Sequence, residues 1–271
     1  MRVDLDRIAG ILREVAAAEI APRFRQLSTD DVRHKSPGDL VTVADEAAER
    51  VLSQRLTDLA PGTVVVGEEA AAADPAVLDR LSHEAPAWVI DPVDGTANFA
   101  AGMPLFAIML SLVRDGAARA AWILDPLTDV MAMAEEGGGA WSDGQRLSVA
   151  PAEEPAKMSG AVGYRYGRRP LVRKIAGRSH RVGPTFTLRC AGQEYLALLR
   201  AQSHFSIYHR ILPWDHAAGQ LLHAEAGGYS ARLDGSPYRP TVFDGGLLLA
   251  PDRTSWNAIH AVLVGRADER V

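Results

Sequence analysis

Cysteine is nearly missing from this chain of 271 residues, with Cys190 the single example. One thiol cannot close an internal disulfide, and it cannot build a cysteine-rich zinc site. Long hydrophobic runs are missing as well. Apolar stretches such as Phe106–Val113, and Ala117–Leu124 with Arg119 inside it, fall far short of the ~20 residues that span a bilayer. The N-terminus, Met1-Arg2-Val3-Asp4-Leu5-Asp6-Arg7, brings in acids at once and has no apolar signal core. That reads as a soluble, cytoplasmic protein with no membrane partner. Strong charge of one sign is also absent. The 34 acids and 29 bases leave a net charge of -5, which argues against a dedicated nucleic-acid binder. No repeat of fixed period appears, and the only low-complexity tract is Ala70–Ala73.

What is present describes an ordinary folded chain. Hydrophobic residues make up 47% and charged residues 23%, which rules out a collagen-like or wholly disordered chain. A chain of this length buries roughly 75% of its unfolded surface without help from metals or disulfides. Leu5, Ile8, Leu12 and Val15 step at helical spacing toward Pro22. A polar connection follows from Ser28 to Gly38. A second amphipathic helix runs through Ala44, Ala48, Leu52, Leu56 and Leu59, with Thr42 and Asp45 as its capping pair. Thr63–Val66 predicts a strand, Asp74-Pro75 opens a helix through Leu81, and Trp88-Val89-Ile90 predicts a buried strand. A meander of strands then occupies residues 105–141, turning at Asp115-Gly116, Asp125-Pro126 and Asp143-Gly144. Pro151 and Pro155 mark a boundary near residue 150. Beyond it, strands near 161, 204–208, 229–233 and 247–250 alternate with helices over 193–200, 214–226 and 255–264. The mixture predicts a layered α+β or α/β architecture. Its N-terminal part would be residues 1–150 and its C-terminal part residues 151–271.

Three acidic groups stand at the mouths of apolar elements. Glu68 and Glu69 follow Val64–Val66, Asp91 and Asp94 follow Trp88–Ile90, and Asp215 precedes the apolar run Ala217–Leu222. A carboxylate buried alone is very costly, so a cationic side chain or a metal must face each one. Few lysines or arginines lie near these motifs in sequence, which favours metal. An all-oxygen ligand set suits Mg²⁺ or Mn²⁺ and not zinc. Other chemistries fail on spacing. Residues 91–96 do not place acids at positions 1, 3 and 5 with glycine at 6, as an EF-hand loop needs, and neither a Walker A loop nor His-Glu-x-x-His occurs. Leu196 stands where a cysteine phosphatase using Cys190 would need arginine, and Asp91 and Asp94 are one residue too far apart for a haloacid-type phosphatase.

Gly67-Glu68-Glu69, Trp88-Val89-Ile90-Asp91-Pro92-Val93-Asp94-Gly95-Thr96 and Pro213-Trp214-Asp215-His216-Ala217-Ala218-Gly219 resemble the signatures of the inositol monophosphatase family. The segment from Lys35 to Asp45 is similar to a fourth. The resemblance covers nearly the whole chain in order and spacing. It implies an αβαβα sandwich of the inositol monophosphatase and fructose-1,6-bisphosphatase type, and Mg²⁺-dependent hydrolysis of a small phosphate monoester. Lithium sensitivity and a homodimer are further implications. By the same resemblance Glu68, Asp91 and the Val93 carbonyl hold one metal. Asp91, Asp94 and Asp215 hold a second, and Glu68 shares a possible third ion. Glu68 and Thr96 would orient or deprotonate the attacking water, with Asp45 behind Thr96. The Gly95 and Thr96 amides would face the phosphate. Trp214 is expected to pack, and His216 to be structural.

The resemblance thins around the leaving group. Inositol-selective members usually place a glutamate six residues before the tryptophan of the third motif, where this chain has Tyr208, flanked by His209. Their small Gly-Thr-Ala-Ala stretch is replaced by Arg189-Cys190-Ala191-Gly192-Gln193. Lys35, Cys190, Ala191, Gly192, Glu194, Tyr208 and His209 are therefore the candidate substrate contacts. The basic run Arg165, Arg168, Arg169, Arg173, Lys174, Arg178 and Arg181 fits either a solvated rim or a site for a second phosphate. Inositol, sugar, histidinol and nucleotide phosphates thus remain open as substrates. So does a non-catalytic relative that keeps the fold, although no metal ligand has been lost.

Overall fold

A computed structural model describes residues 3–36, 38–164 and 168–265. Pro37 and Arg165, both used above, lie outside the described residues, as do Met1 and Arg2. In chain order the elements begin with α1 (Leu5–Val15), β1 (Val32–Ser36), β2 (Asp39–Thr42), α2 (Val43–Leu59), β3 (Val64–Gly67) and α3 (Glu68–Ala73). Next come β4 (Ala87–Asp94), α4 (Thr96–Ala100), β5 (Ala107–Arg114), β6 (Ala117–Asp125), β7 (Val130–Glu135), β8 (Ala140–Ser142) and β9 (Gln145–Arg146). The remainder is β10 (Gly160–Val162), α5 (Arg169–Arg178), β11 (Thr185–Phe186), α6 (Ala191–Leu199), β12 (Phe205–Tyr208), α7 (Pro213–Glu225), β13 (Tyr229–Arg232), β14 (Leu247–Ala250) and α8 (Arg253–Leu263).

Among the described residues, β3 to β9 form one sheet in sequence order, and β11-β10-β12-β14-β13 form a second. The central strands β4, β5, β12 and β14 are buried on both faces, so their side chains split by period two into different cores. Ile108, Leu110 and Leu112 of β5 pack with Ile8 and Leu12 of α1 and Leu52 and Leu56 of α2. Ala107 and Met109 of the same strand pack the other way, against Tyr195 and Leu199 of α6 and Leu222 of α7. Leu247 and Leu249 of β14 share that inner core, whereas Leu248 and Ala250 meet Ile175 of α5 and Trp256 and Ile259 of α8. Helices, sheet, helices, sheet, helices: the layers are those of an αβαβα sandwich.

Several local expectations change. The first helix does not stay α to Pro22. It loosens to a π turn over Ala16–Ile20 and tightens to a 3-10 turn over Ala21–Arg23, because Pro22 offers no amide and its ring clashes with the carbonyl four residues back. The segment Pro75–Ser82 is 3-10 and not α. The polar connection after Ser28 is a 3-10 turn followed by the β1–β2 hairpin. Its residues are too polar to show the alternation that betrays a strand. The basic run conceals α5, which turns Ile175 into the core.

Candidate active site

β3 and β4 are parallel, with Gly67 level with Ile90. Glu68 and Asp91 therefore leave the sheet side by side at the carboxyl ends of their strands, where open α/β sheets place their sites. Asp91 and Asp94 are three residues apart, so a regular strand would point them to opposite faces. The β4–β5 register shifts between them: Asp91 faces Met109 and Asp94 faces Ala107. The extra residue in β4, next to Pro92, is a bulge that re-aims one side chain. Asp215 comes from the first turn of α7. One carboxylate oxygen each from Asp91, Asp94 and Asp215 lie within 4.8 Å of one another.

Neighbouring backbone fixes these acids. Asp91 Oδ1 accepts from Val93 N at 3.1 Å. Asp94 Oδ2 accepts from Gly192 N at 2.5 Å and from the Cys190 thiol at 3.0 Å. Gly192 has no room for a side chain, since a Cβ there would come within 2.6 Å of the Ala107 Cβ. At Gly95 φ is +88°, and a Cβ would stand 2.8 Å from the Leu105 carbonyl, so glycine alone suits this turn. Thr96 opens α4, and its hydroxyl lies 3.1 Å from Asp45 Oδ1 and 3.0 Å from the Val93 carbonyl. The other oxygen of Asp45 caps α2 by accepting from Thr42 N at 2.9 Å.

The electrostatics call for positive charge. Burial first, then the charges of Glu68, Asp94, Asp215 and Asp45, hold Asp91 well above the usual carboxylate range. Burial raises Asp94 too, against the pull of the Cys190 and Gly192 hydrogen bonds. It raises Asp215 against the nearby Arg210. Asp45 is pushed up to about 7 by burial, with Thr42 opposing and Glu68 adding to the rise. Hard oxygen donors, deeply buried and mutually repelling, match a divalent cation such as Mg²⁺.

Few basic residues lie near these motifs in sequence, but two come close in space. Lys35 Nζ lies 2.5 Å from Glu68 Oε1 and 3.0 Å from Glu69 Oε1, and an Arg210 nitrogen lies 3.9 Å from Asp215 Oδ2. Sequence distance concealed the first pair, because the β1–β2 hairpin carries Lys35 across to α3. Burial opposes the Lys35 charge, but Glu68 and Glu69 outweigh it and raise its pKa. Burial, then the Glu68 charge, lifts Glu69 to about 8. The described salt bridges give Asp91, Asp94 and Asp45 no such partner.

A cavity of about 400 Å³ opens onto the acids. Glu68, Asp91, Asp94, Gly95, Thr96, Cys190, Ala191, Glu194, Tyr208, His209 and Asp215 line it. Lys35, Asp45, Val93 and Gly192 stand behind the wall instead, each bonded to a residue that lines it or shares Glu68. None of the described basic residues from Arg168 to Arg181 reaches the cavity, while Asp39, Tyr164, Arg189 and Arg210 do. Burial raises the Cys190 thiol far above its usual value, so it stays protonated. His216 is held by Tyr195 Oη at 3.1 Å and the Arg210 carbonyl at 3.0 Å, and burial lowers it to about 3. It is a neutral structural residue, as expected. Trp214 is buried against Val66, Val89 and Ala217.

Glu49 was missed. Its carboxylate accepts from Glu69 N and Ala70 N, both at 2.8 Å, and caps α3. A Cβ on Gly67 would stand 2.2 Å from that carboxyl carbon. The signal was there: Asp45 and Glu49 continue the buried stripe of Leu52 and Leu56, and an acid on such a stripe needs a partner.

The model of the inositol monophosphatase family matches residues 4–269. This chain belongs to that family. It is 33% identical over 224 residues to an inositol-1-monophosphatase of Rhizobium meliloti (strain 1021), covering 81% of this chain and 82% of that one. It is 30% identical over 198 residues to a fructose-1,6-bisphosphatase/inositol-1-monophosphatase of Thermotoga maritima, covering 73% of each. The fold matches inositol monophosphatase II of Staphylococcus aureus MSSA476 with a TM-score of 0.81 and 21% identity, over 97% of this chain and 94% of that one. The inositol monophosphatase family comprises metal-dependent phosphatases, so the chain is a phosphoric monoester hydrolase by family. Among the described residues, no helix is long and apolar enough to cross a membrane.

Proposed function

We propose that this chain is a Mg²⁺-dependent phosphatase that hydrolyses a small phosphate monoester, an inositol phosphate or a related sugar or polyol phosphate. The observation that carries the reading is the convergence of Asp91, Asp94 and Asp215 within 4.8 Å at a cavity of about 400 Å³. Glu68, Asp91 and the Val93 carbonyl would hold one cation, and Asp91, Asp94 and Asp215 a second. Mn²⁺ would fit the same donors, and Glu68 could share a third ion. Such ions, when bound, supply an activated water and counter-charge for the leaving oxygen.

The chain's own groups do the rest. Glu68 and the Thr96 hydroxyl, which lies between Asp45 and the Val93 carbonyl, orient or deprotonate the water, and Asp45 supports Thr96 from behind. The Gly95 and Thr96 amides bind the phosphate. Residues 1–150 would supply most metal ligands, and residues 151–271 would supply Asp215 and the substrate-selecting surface. A cytoplasmic homodimer sensitive to lithium completes the proposal. Phosphate release from a panel of inositol, sugar, histidinol and nucleotide phosphates, with Mg²⁺ and with chelator, tests it. Turnover that needs Mg²⁺ is expected. No turnover of any ester with metal present would overturn it.

A further inference from the structure

Two neighbouring strand ends run into helices that cannot cap themselves. Gly67 ends β3 and precedes α3, and Gly95 follows β4 and precedes α4. A glycine has no side chain to offer the first free amides of a helix, a task that serine or aspartate performs at other helix starts. Helix α3 also has little of its own to hold it in place. It is six residues long and buries one side chain, Ala71, and so short a helix is marginal without outside support. Yet its first residue is Glu68.

The missing cap comes from α2. Glu49 uses both its oxygens: Oε2 accepts from Glu69 N and Oε1 from Ala70 N, each at 2.8 Å. These are the two amides that directly follow Glu68. One turn earlier on α2, Asp45 holds the Thr96 hydroxyl at the start of α4 at 3.1 Å. Four residues of helix rise about 6 Å, and neighbouring strands lie about 4.8 Å apart. Acids at positions 45 and 49 of one helix therefore reach the ends of two adjacent parallel strands.

Glu49 is 6% exposed, and Lys35 pairs with Glu68 and Glu69 and not with it. A buried carboxylate is costly, more than the packing of one alanine accounts for. Gly67 fits the same contact, since a Cβ there would run into the Glu49 carboxyl group.

We infer that Glu49 is a positioning residue for cation binding. By tying the start of α3 to α2, it fixes the direction in which Glu68 presents its carboxylate. The inference rests on the phosphatase reading, in which Glu68 is a metal ligand. Groups that hold metal ligands from behind commonly change metal affinity by about ten- to a hundredfold.

The test is Mg²⁺ binding, measured by titration calorimetry on chelator-stripped protein with no ester present. Glu49→Gln keeps the size of the side chain but turns one acceptor into a donor, which then faces an amide N–H. It should weaken Mg²⁺ binding about tenfold. The Mg²⁺ concentration for half-maximal phosphate release should rise by the same factor, with KM for the ester unchanged. Gly67→Ala should act in the same direction by pushing the carboxylate away, and it carries the test if Glu49→Gln does not fold. Leu52→Ala opens a cavity in the core under α2. It should lower the melting temperature at least as far and leave Mg²⁺ affinity unchanged. In a Glu68→Gln background, Glu49→Gln should cost no further affinity. Wild-type Mg²⁺ affinity in Glu49→Gln overturns the inference and leaves Glu49 a structural cap. So does an equal loss in Leu52→Ala, or a full tenfold loss on top of Glu68→Gln. A wild type that binds no Mg²⁺ at all sinks the phosphatase reading and the inference with it, a result distinct from the other three.

Discussion

The acids of the cavity sit on strand ends and a helix start, whereas Arg189 and His209 sit in the connections between elements. On the acidic side the geometry is inherited from the sheet. Gly67 and Ile90 are in register, a bulge turns Asp91 and Asp94 together, and backbone amides hold Asp91 and Asp94. On the other side the groups are held by loop backbone, and the functional ends of Tyr208 and His209 are left without partners. The difference separates two tasks. The acidic arrangement must be rigid because cation geometry is unforgiving, and strand ends on a packed sheet supply that rigidity. The connections can change without disturbing the core, and the proposed function assigns selectivity among phosphate esters to them.

Breaking the acidic side should have the largest effect. Asp91→Asn should lower kcat by about three orders of magnitude or more, since it removes the charge that the proposed function has two cations share. The same change should raise the melting temperature of the metal-free protein, because Asp91 is costly to ionise there. An active variant in a phosphate-release assay would remove Asp91 from its role.

Glu194 joins the two sides, and its effect should be read through pH. Burial, opposed by the Leu188 amide and by the Tyr208 and Thr187 hydroxyls, raises it to about 7 from 4.5. The folded state therefore keeps a proton that the unfolded state gives up, so stability is full below about 4.5 and falls as pH rises toward about 7. Its share is up to about 3 kcal/mol. Glu194→Gln should flatten that part of the melting temperature against pH. An unchanged profile counts against Glu194 as the titrating group.

Gly67→Ala comes next. The new methyl must displace the Glu49 carboxylate that caps α3, at a cost of about 2 kcal/mol. Urea denaturation should show the loss, and a neutral result would mean that the cap shifts freely. Tyr208→Phe should have the smallest effect on stability, within about 0.5 kcal/mol, because the hydroxyl lies beyond ordinary hydrogen-bond distance of Glu194 and Ser206, which it faces. Its effect should appear in KM for the substrate. A large loss of stability would show that the phenol is satisfied within the fold.

Much of the site was legible because its residues are close in sequence and chemically unusual. Asp91, Asp94, Gly95 and Thr96 form one segment, and acids after apolar strands are expensive enough to be conspicuous. The layered order was legible too, since helical and strand periods alternate along the chain. The hairpin carrying Lys35 was not, because its alternation is masked by polar residues on both faces. Helix α5 was hidden inside a run of positive charge. Glu49 was readable in principle as an acid on the buried stripe of α2, but nothing local names its partner, which lies twenty residues away across the β3–α3 turn.

The sequence by itself determined the alternation of elements, the oxygen-rich ligand set and the absence of any thiol or disulfide alternative. Those follow from local period and residue chemistry. Only the tertiary structure decided which charges meet. Lys35 reaches Glu68 and Arg210 reaches Asp215, the basic run from Arg168 to Arg181 stays away from the cavity, and Arg189 joins its wall in a left-handed turn. The physical reason is that pairing energies depend on separation in space and on burial, and the chain sets neither until the sheets have stacked.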